Sequence, residues 1–519
     1  MEKLAAVLLI VAAVVGIELQ YLVNKFLTPE GMFYLGTVHW PSDYFYYLSQ
    51  FVQGKEHWLF STMLFTPEKL RPVLVGWQNV LTGRLLMLTG LDVISAYQAA
   101  VGIYLALFLY SAYLFIREVF PESGTRRILS FFFFLTSSSF FHIKAAAGKI
   151  EWSYFNHWYN QGIPLARFGP RPHHLLAYTL GVTGWLFFVR KKYFLMALAG
   201  LLLASISPVA WGLDLLAFFI TSLVGEIKNK TKSGSRWKFL LPSAIYFAAG
   251  VIPALYVKAV FSVSPYNLSS VWESYQHLKL SPYHLFLGTG LIFIPAVIGI
   301  NSYRLRAKTA GVFSLVFLAL AVFFYLTDIS QKFNVSNVRF WPSQVYLVFA
   351  LLAAEGVIKT AKIFAKFKKQ ALAVLLVIYL SSIAPTLYLS YREILSPKYR
   401  NGYYFIPEDV LDAFNNAEVM STPEDVFLVL WPYNESFPAL TGRKTFFGYE
   451  LFTINHQEKM TKAFEIIDGK MGEAELGKTL AYYQIKYLVM YSGNNYFKKF
   501  PFLKAVYSNP MTIIYKVDL

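Results

Sequence analysis

The sequence predicts a polytopic, mostly α-helical membrane protein with a small α/β domain at its C-terminal end. Three observations predict it. The 519 residues are 56% hydrophobic and only 15% charged, too apolar for a soluble domain of this size. About eleven segments are apolar over the roughly 20 residues that a spanning helix needs. From about residue 393 the composition turns ordinary and strand-like runs alternate with helix-like ones. The expected division is a transmembrane domain over 1–392 and a soluble domain over 393–519.

The expected spans cover about 4–20, 98–116, 128–145, 174–189, 193–208, 209–225, 239–260, 283–300, 309–327, 343–358 and 370–391. The stretch 193–225 divides at Ser207-Pro208, because proline removes a backbone donor. The first apolar run reads as an uncleaved helix, since no small-x-small site follows it and Gln20-Tyr21 is a poor one.

Charge placement tests the count. With the N-terminus inside, the short inner segments hold 20 basic residues against four acids, a surplus of 16 in a formal net charge of +17. This is the positive-inside pattern. The basicity therefore reports topology and gives no reason to invoke nucleic acid. The expected location is the plasma membrane, multi-pass, with the N-terminus cytoplasmic and the terminal domain outside. There is no cysteine, which excludes disulfides, thiolate metal sites and cysteine nucleophiles.

The outer segments are of a different kind. All nine histidines (39, 57, 142, 157, 173, 174, 277, 284 and 456) fall outside or at the outer end of a span. Histidine collects where polar chemistry occurs, although short inner loops also leave little room for it. The first outer loop, about 21–97, contains His39-Trp40-Pro41-Ser42-Asp43-Tyr44 among further aromatics, a composition suited to interfacial helices. Partial desolvation there raises a carboxylate toward a useful general base, so Asp43 is the candidate. The alternative is that Asp43 caps a helix after Pro41-Ser42.

The second outer loop, about 146–173, carries Glu151, His157, Asn160, Arg167, Arg171, His173 and His174 among Trp152, Tyr154, Trp158 and Tyr159. Apolar ring faces beside hydrogen-bonding groups are what a sugar cleft needs; interfacial anchoring is the other reading. His39, Tyr44, His157, His173 and His174 are the candidate substrate-binding residues. His173-His174 has no third ligand at metal spacing, so no metal ligand is assigned. Arg339, in Asn337-Val-Arg-Phe340 before the tenth span, suits a phosphate or pyrophosphate, or snorkels to lipid headgroups. Asp214 lies inside a span, where acids are costly and face polar cavities; Lys258 and Arg339 are its candidate partners. No phosphate-cradling glycine loop, nucleophile elbow or helical zinc motif occurs.

In the terminal region, Asp425–Trp431, Lys486–Tyr491 and Met511–Val517 read as strands, and 406–418, 456–468 and 473–484 have helical spacing. Thr441-Gly442-Arg443-Lys444 reads as a tight turn. The domain shows no catalytic set of its own, so a supporting or acceptor-guiding role is expected.

Together these features resemble the C-type membrane glycosyltransferases, the GT-C fold, which use polyprenyl-phosphate-linked sugars. The resemblance rests on His39-Trp-Pro-Ser-Asp43-Tyr-Phe-Tyr-Tyr47 after span one, Arg171-Pro-His-His174 closing the second outer loop, and Asn337-Val-Arg339-Phe340. It also rests on Pro438-Ala-Leu-Thr-Gly-Arg443 and Gly448-Tyr-Glu450 in the tail. It covers nearly the whole chain. It implies that Asp43 is the catalytic acid acting as general base, and that Glu151 takes the place of a second-loop acid found in some branches. It further implies that Arg171 and Arg339 hold the donor phosphate and that the anomeric carbon inverts. The partners implied are a polyprenyl-phosphate-linked sugar, the lipid bilayer, and an acceptor that is a lipid, a glycan or a protein. Two departures stand out. The Trp-Trp-Asp-Tyr-Gly motif of oligosaccharyltransferases is missing, which argues against transfer of whole glycans to asparagine. The first-loop acid stands alone rather than in an Asp-x-Asp pair, so a divalent metal stays open as a cofactor. A lipid-linked-sugar flippase or other transporter is the alternative activity, and a non-catalytic scaffold a third. Polar residues crowding one interface, rather than mid-membrane depth, favour the enzyme.

Overall fold

The structure, a computed structural model, describes residues 2–146, 149–155, 163–228, 238–306, 308–394 and 401–519. The chain opens with helix α1 (Glu2–Phe26), strand β1 (Met32–Tyr34), and helices α2 (Pro41–Val52), α3 (Trp77–Met87), α4 (Val93–Val119) and α5 (Gly124–Thr136). A hairpin of β2 (Phe141–Ala146) and β3 (Lys149–Tyr154) follows. Next come α6 (Pro172–Val189), α7 (Tyr193–Ile206), α8 (Pro208–Lys228), α9 (Leu241–Val260) and α10 (Asn267–Tyr275). Helices α11 (Pro282–Thr289), α12 (Phe293–Arg306), α13 (Thr309–Leu326), α14 (Ser343–Ile363) and α15 (Lys368–Ile394) complete the apolar part. The remainder holds β4 (Phe405–Pro407), α16 (Glu408–Met420), β5 (Val426–Val429), α17 (Ser436–Thr441) and β6 (Lys444–Thr445). It ends with α18 (His456–Ile467), α19 (Glu473–Tyr482), β7 (Ile485–Tyr491), β8 (Leu503–Ser508) and β9 (Thr512–Val517).

Among the described residues eight helical segments are long and apolar enough to cross a membrane, and the protein has a polytopic membrane fold. The other three expected spans fall on α5, α6 and α7, of 13, 18 and 14 residues. The break at Ser207-Pro208 is where α7 ends and α8 begins. The expected span over 128–145 is corrected. Its helix stops at Thr136, and residues from Phe141 onward form a strand. The apolar run carries on past the helix through Phe140, Phe141 and Ile143, so hydropathy alone does not mark its end; Ser137-Ser138-Ser139 makes the break.

The chain packs as two compact units. Unit 1 comprises 1–19, 101–259 and 273–395; unit 2 comprises 20–100, 260–272 and 396–519. The segment 20–100, which contains the expected first outer loop, falls in unit 2 with the terminal residues. The reason is visible inside unit 2. Strand β1 pairs antiparallel with β4, with Phe33 opposite Ile406. The Thr37 hydroxyl donates to the Tyr403 carbonyl at 2.8 Å.

In unit 1, α14 is buried along most of its length, whereas α1 and α15 turn Val7, Leu8, Val11, Val374, Val377 and Ile378 outward. Apolar surface of that extent suits lipid and not water. Helices α12 and α14 meet at glycines. A Cβ on Gly356 would overlap the carbonyl oxygen of Pro295, and one on Gly299 would overlap that of Leu352. Small residues permit such close backbones where lipid supplies no hydrophobic drive between helices. The one acid of α14, Glu355, is buried and pairs with Arg126 at 2.8 Å, as a buried carboxylate requires.

Unit 2 contains a five-stranded sheet in the order β6-β5-β7-β9-β8. Strand β5 runs parallel to β6 and β7, and every one of its residues is buried. Such a strand reads as a continuous apolar run because helices cover both faces. Phe446, Leu428, Leu488, Ile466 and Leu480 form the core beside it. Edge strand β8 carries exposed Lys504, a charge that discourages further strand addition.

Candidate active site

The expected site residues divide between the units, and each group is described within its own. In unit 2, Pro41 starts α2 and the cap position is Trp40, which makes no side-chain cap. Asp43 therefore sits in the first helical turn instead of capping it. An acid is favoured there by the helix dipole. Its Oδ1 accepts a hydrogen bond from the Tyr449 hydroxyl at 2.8 Å. Burial and the Asp43 charge together hold the Tyr449 proton far above its ordinary range, so Tyr449 stays a donor at any physiological pH.

A second carboxyl stands beside this pair. Glu435, just before α17, is hydrogen-bonded to Ser42, and burial followed by the charges of Glu450 and Asp43 raises its pKa to about 7. Its Oε2 is buried without a partner. Glu435 therefore gives up its proton reluctantly. The sequence offered no signal for Glu435, since its neighbour Ser42 is almost 400 positions away. Tyr46 stacks on Phe452 at 4.1 Å nearby, walling the site with apolar rings.

The other unit 2 candidates are held by contacts within the unit. Tyr44 is fully buried and donates to the Leu35 carbonyl at 2.8 Å. His39 Nε2 meets the Tyr97 hydroxyl at 3.1 Å and its ring abuts Tyr44 edge-on. Arg443, from the expected turn, ties Ser421, the Glu418 carbonyl and Glu56 together, and Gly442 there is left-handed, with φ +69°.

In unit 1, Arg171 is the cap residue of α6 in an extended conformation. Its guanidinium folds over Gly169. His173 and His174 lie edge to face at 4.4 Å, and His174 Nδ1 is 3.5 Å from the Tyr178 hydroxyl. Glu151 lies on β3, in register with Lys144. His157, with Trp158, Tyr159 and Asn160, lies outside the described residues. Arg339 occupies a short helical turn and forks onto Glu273, Nε to Oε1 at 2.9 Å and Nη2 to Oε2 at 2.6 Å. Asn337 beside it donates to the carbonyls of Leu278 and Tyr325, which fixes the turn. The expected pairing of Asp214 with Lys258 or Arg339 is corrected: Asp214 Oδ1 accepts from the Trp185 indole at 2.7 Å. The polar group that meets a buried acid is set by helix packing, and a neutral tryptophan gave no charge signal to find.

Among the described residues no three histidine or carboxylate side chains converge to hold a metal ion.

The fold places the chain among membrane glycosyltransferase structures. It is similar to the oligosaccharyltransferase of Archaeoglobus fulgidus in its apo form, with a TM-score of 0.56 and 14% identity, over 94% of this chain and 69% of that one. It is also similar to the arabinofuranosyltransferase AftD from Mycobacteria, with a TM-score of 0.50 and 13% identity, over 98% of this chain and 40% of that one. Both have the GT-C fold, and at these identities the likeness is one of fold. No family model and no curated protein matches the chain.

Proposed function

We propose that this protein is a membrane glycosyltransferase that moves a sugar from a polyprenyl-phosphate-linked donor to an extracytoplasmic acceptor, with inversion at the anomeric carbon. The observation that carries the reading is Asp43. It lies at the start of α2, hydrogen-bonded to Tyr449 and beside a second carboxyl whose pKa is raised. A carboxylate in that setting is equipped to take a proton. The acceptor hydroxyl or amine attacks C1 of the sugar. Its proton passes to Asp43 as the new C1 bond forms. The bond from C1 to the phosphate oxygen breaks on the opposite face, and its electron pair leaves with the polyprenyl phosphate. Arg171 and Arg339 stabilise that leaving charge, Arg339 by exchanging Glu273 for the phosphate. Glu151 is the further candidate acid. Direct displacement by the acceptor inverts the sugar.

The topology proposed puts the N-terminus in the cytoplasm and the working surface outside. The positive-inside pattern supports it.

The test is sugar transfer in membranes from a panel of polyprenyl-phosphate sugars, comparing wild type with Asp43→Asn. Removing a general base lowers kcat/KM by about 10²–10⁴-fold, with protein level and lipid binding unchanged. Equal turnover in both would remove Asp43 from the mechanism. Transbilayer movement of the lipid with no transfer from any donor would replace the enzyme by a carrier.

A further inference from the structure

Arg167 is among the most deeply buried large side chains of the protein, with 1% of its surface exposed. It precedes α6 in a short helical turn, Ala166–Phe168. Packing holds it on three sides. Its Nη1 donates to the Ser137 hydroxyl at 2.7 Å, its guanidinium lies 3.9 Å over the Tyr346 ring, and its carbonyl accepts from Ser343 at 2.8 Å. Every one of these partners is neutral. Among the described residues no carboxylate pairs with it, and Nε and Nη2 are buried with no hydrogen-bond partner.

An uncompensated buried charge is among the costliest features a fold can carry. Arg126 and Arg339 of the same unit each have a glutamate. The surroundings of Arg167 make its case worse. Ser343 is the first residue of α14, so the positive end of that helix lies against the same residue. A guanidinium fork and a helix N-terminus are together donors that bind phosphate. Burial pulls the guanidinium down to about 10, which still leaves it charged at neutral pH.

We propose that Arg167 is a phosphate-binding residue, and that its two unpartnered N–H groups hold the phosphate of the lipid-linked donor. The assignment to a donor rests on the glycosyltransferase reading; the anion site itself does not. It divides labour between the arginines. Arg339 must give up Glu273 to reach a phosphate, whereas Arg167 gives up nothing.

The test uses the full-length protein in lipid nanodiscs, as wild type, Arg167→Met and Arg167→Gln. The probes are dolichyl phosphate, uncharged dolichol and inorganic phosphate, read by direct binding and by thermal shift. Wild type is expected to bind dolichyl phosphate and to melt higher with it than with dolichol. Arg167→Met, of similar length and no charge, keeps or raises the ligand-free Tm and binds dolichyl phosphate about tenfold more weakly or worse. Equal binding by wild type and Arg167→Met overturns the proposal, as does a wild type indifferent to the phosphate. Loss of the fold in both variants assigns Arg167 to structure and likewise overturns it. An Arg167-dependent response to inorganic phosphate equal to that for the lipid makes this a free-anion site and overturns the donor assignment. Sugar transfer separates the two readings. Binding through Arg167 without transfer from any donor removes the enzyme and leaves the anion site. Transfer by Arg167→Met at an unchanged donor KM does the reverse.

Discussion

Each unit buries charged groups that it does not fully answer. In unit 2 Glu435, beside Asp43, keeps a carboxyl oxygen without a partner. In unit 1 Arg167 keeps two N–H groups without one, while Arg126 and Arg339 are matched by carboxylates. Two acids of unit 1, Glu18 and Asp214, also have no ion-pair partner among the described residues. Other buried charges are paired, as Lys459 with Glu68 in unit 2 and Glu355 with Arg126 in unit 1. Exceptions of this kind are unfavourable for the fold alone and concentrate at functional sites. The proton acceptor and the anion holder proposed above are what a phosphate-leaving glycosyl transfer would need.

Four changes sharpen or break that contrast. The largest effect is expected from Asp43→Asn, described above. Tyr449→Phe should follow, since it removes the hydroxyl that orients the Asp43 carboxylate. A hydrogen bond to a charged group is worth about 1.5–3 kcal/mol, so kcat/KM should fall roughly ten- to a hundredfold with the donor KM little changed. A larger change in donor KM than in kcat would move Tyr449 into donor binding.

Glu273→Gln should have a smaller effect and the opposite sign. It frees Arg339 from a competing carboxylate, and the donor KM should drop by about threefold to tenfold, the equivalent of about 1 kcal/mol for a part-exposed ion pair. An unchanged KM with a lowered Tm would make the Arg339–Glu273 fork purely structural.

The last effect concerns stability and not turnover. The pKa of Glu435 is raised from 4.5 to about 7, so the folded state binds its proton more tightly than the unfolded chain does. Below about pH 4.5 both states are protonated and there is no penalty. The penalty grows as pH rises from there and is complete above about pH 7. Glu435→Gln should therefore match wild type in acid and exceed it at pH 8 by about 1–2 kcal/mol, allowing for solvent beside this half-buried group. Melting curves from pH 4 to pH 8 measure it, and a gap that narrows toward pH 8 would refute the assignment.

Much of the fold was legible because it obeys local rules. Strands β5, β7 and β9 and helices α16, α18 and α19 each fall where apolar periodicity put them. The Ser207-Pro208 break was readable for the same reason. The strand at Phe141 was not, since the apolar run Phe131–Leu135 continues through Phe140, Phe141 and Ile143 with no charge until Lys144 to mark where the helix stops. Asp43 was visible as an isolated acid among aromatics, but its partner Tyr449 is 406 positions away. Arg167 appeared as one polar residue in a loop full of them. What distinguishes it is a lack of counter-charge, and a lack is a property of packing that no single stretch of sequence encodes.

The pairing of β1 with β4 also sets an order of events. Thr37 waits for Tyr403, 366 residues later in the chain. At about 5–20 residues per second of synthesis, the segment 20–100 is made about 20–70 s before its partner strand. Throughout that interval the edge of β1 stands unpaired while the helices between are made. The growing chain thus carries an open strand edge through most of its own production, a feature that a chaperone would meet before the domain closes.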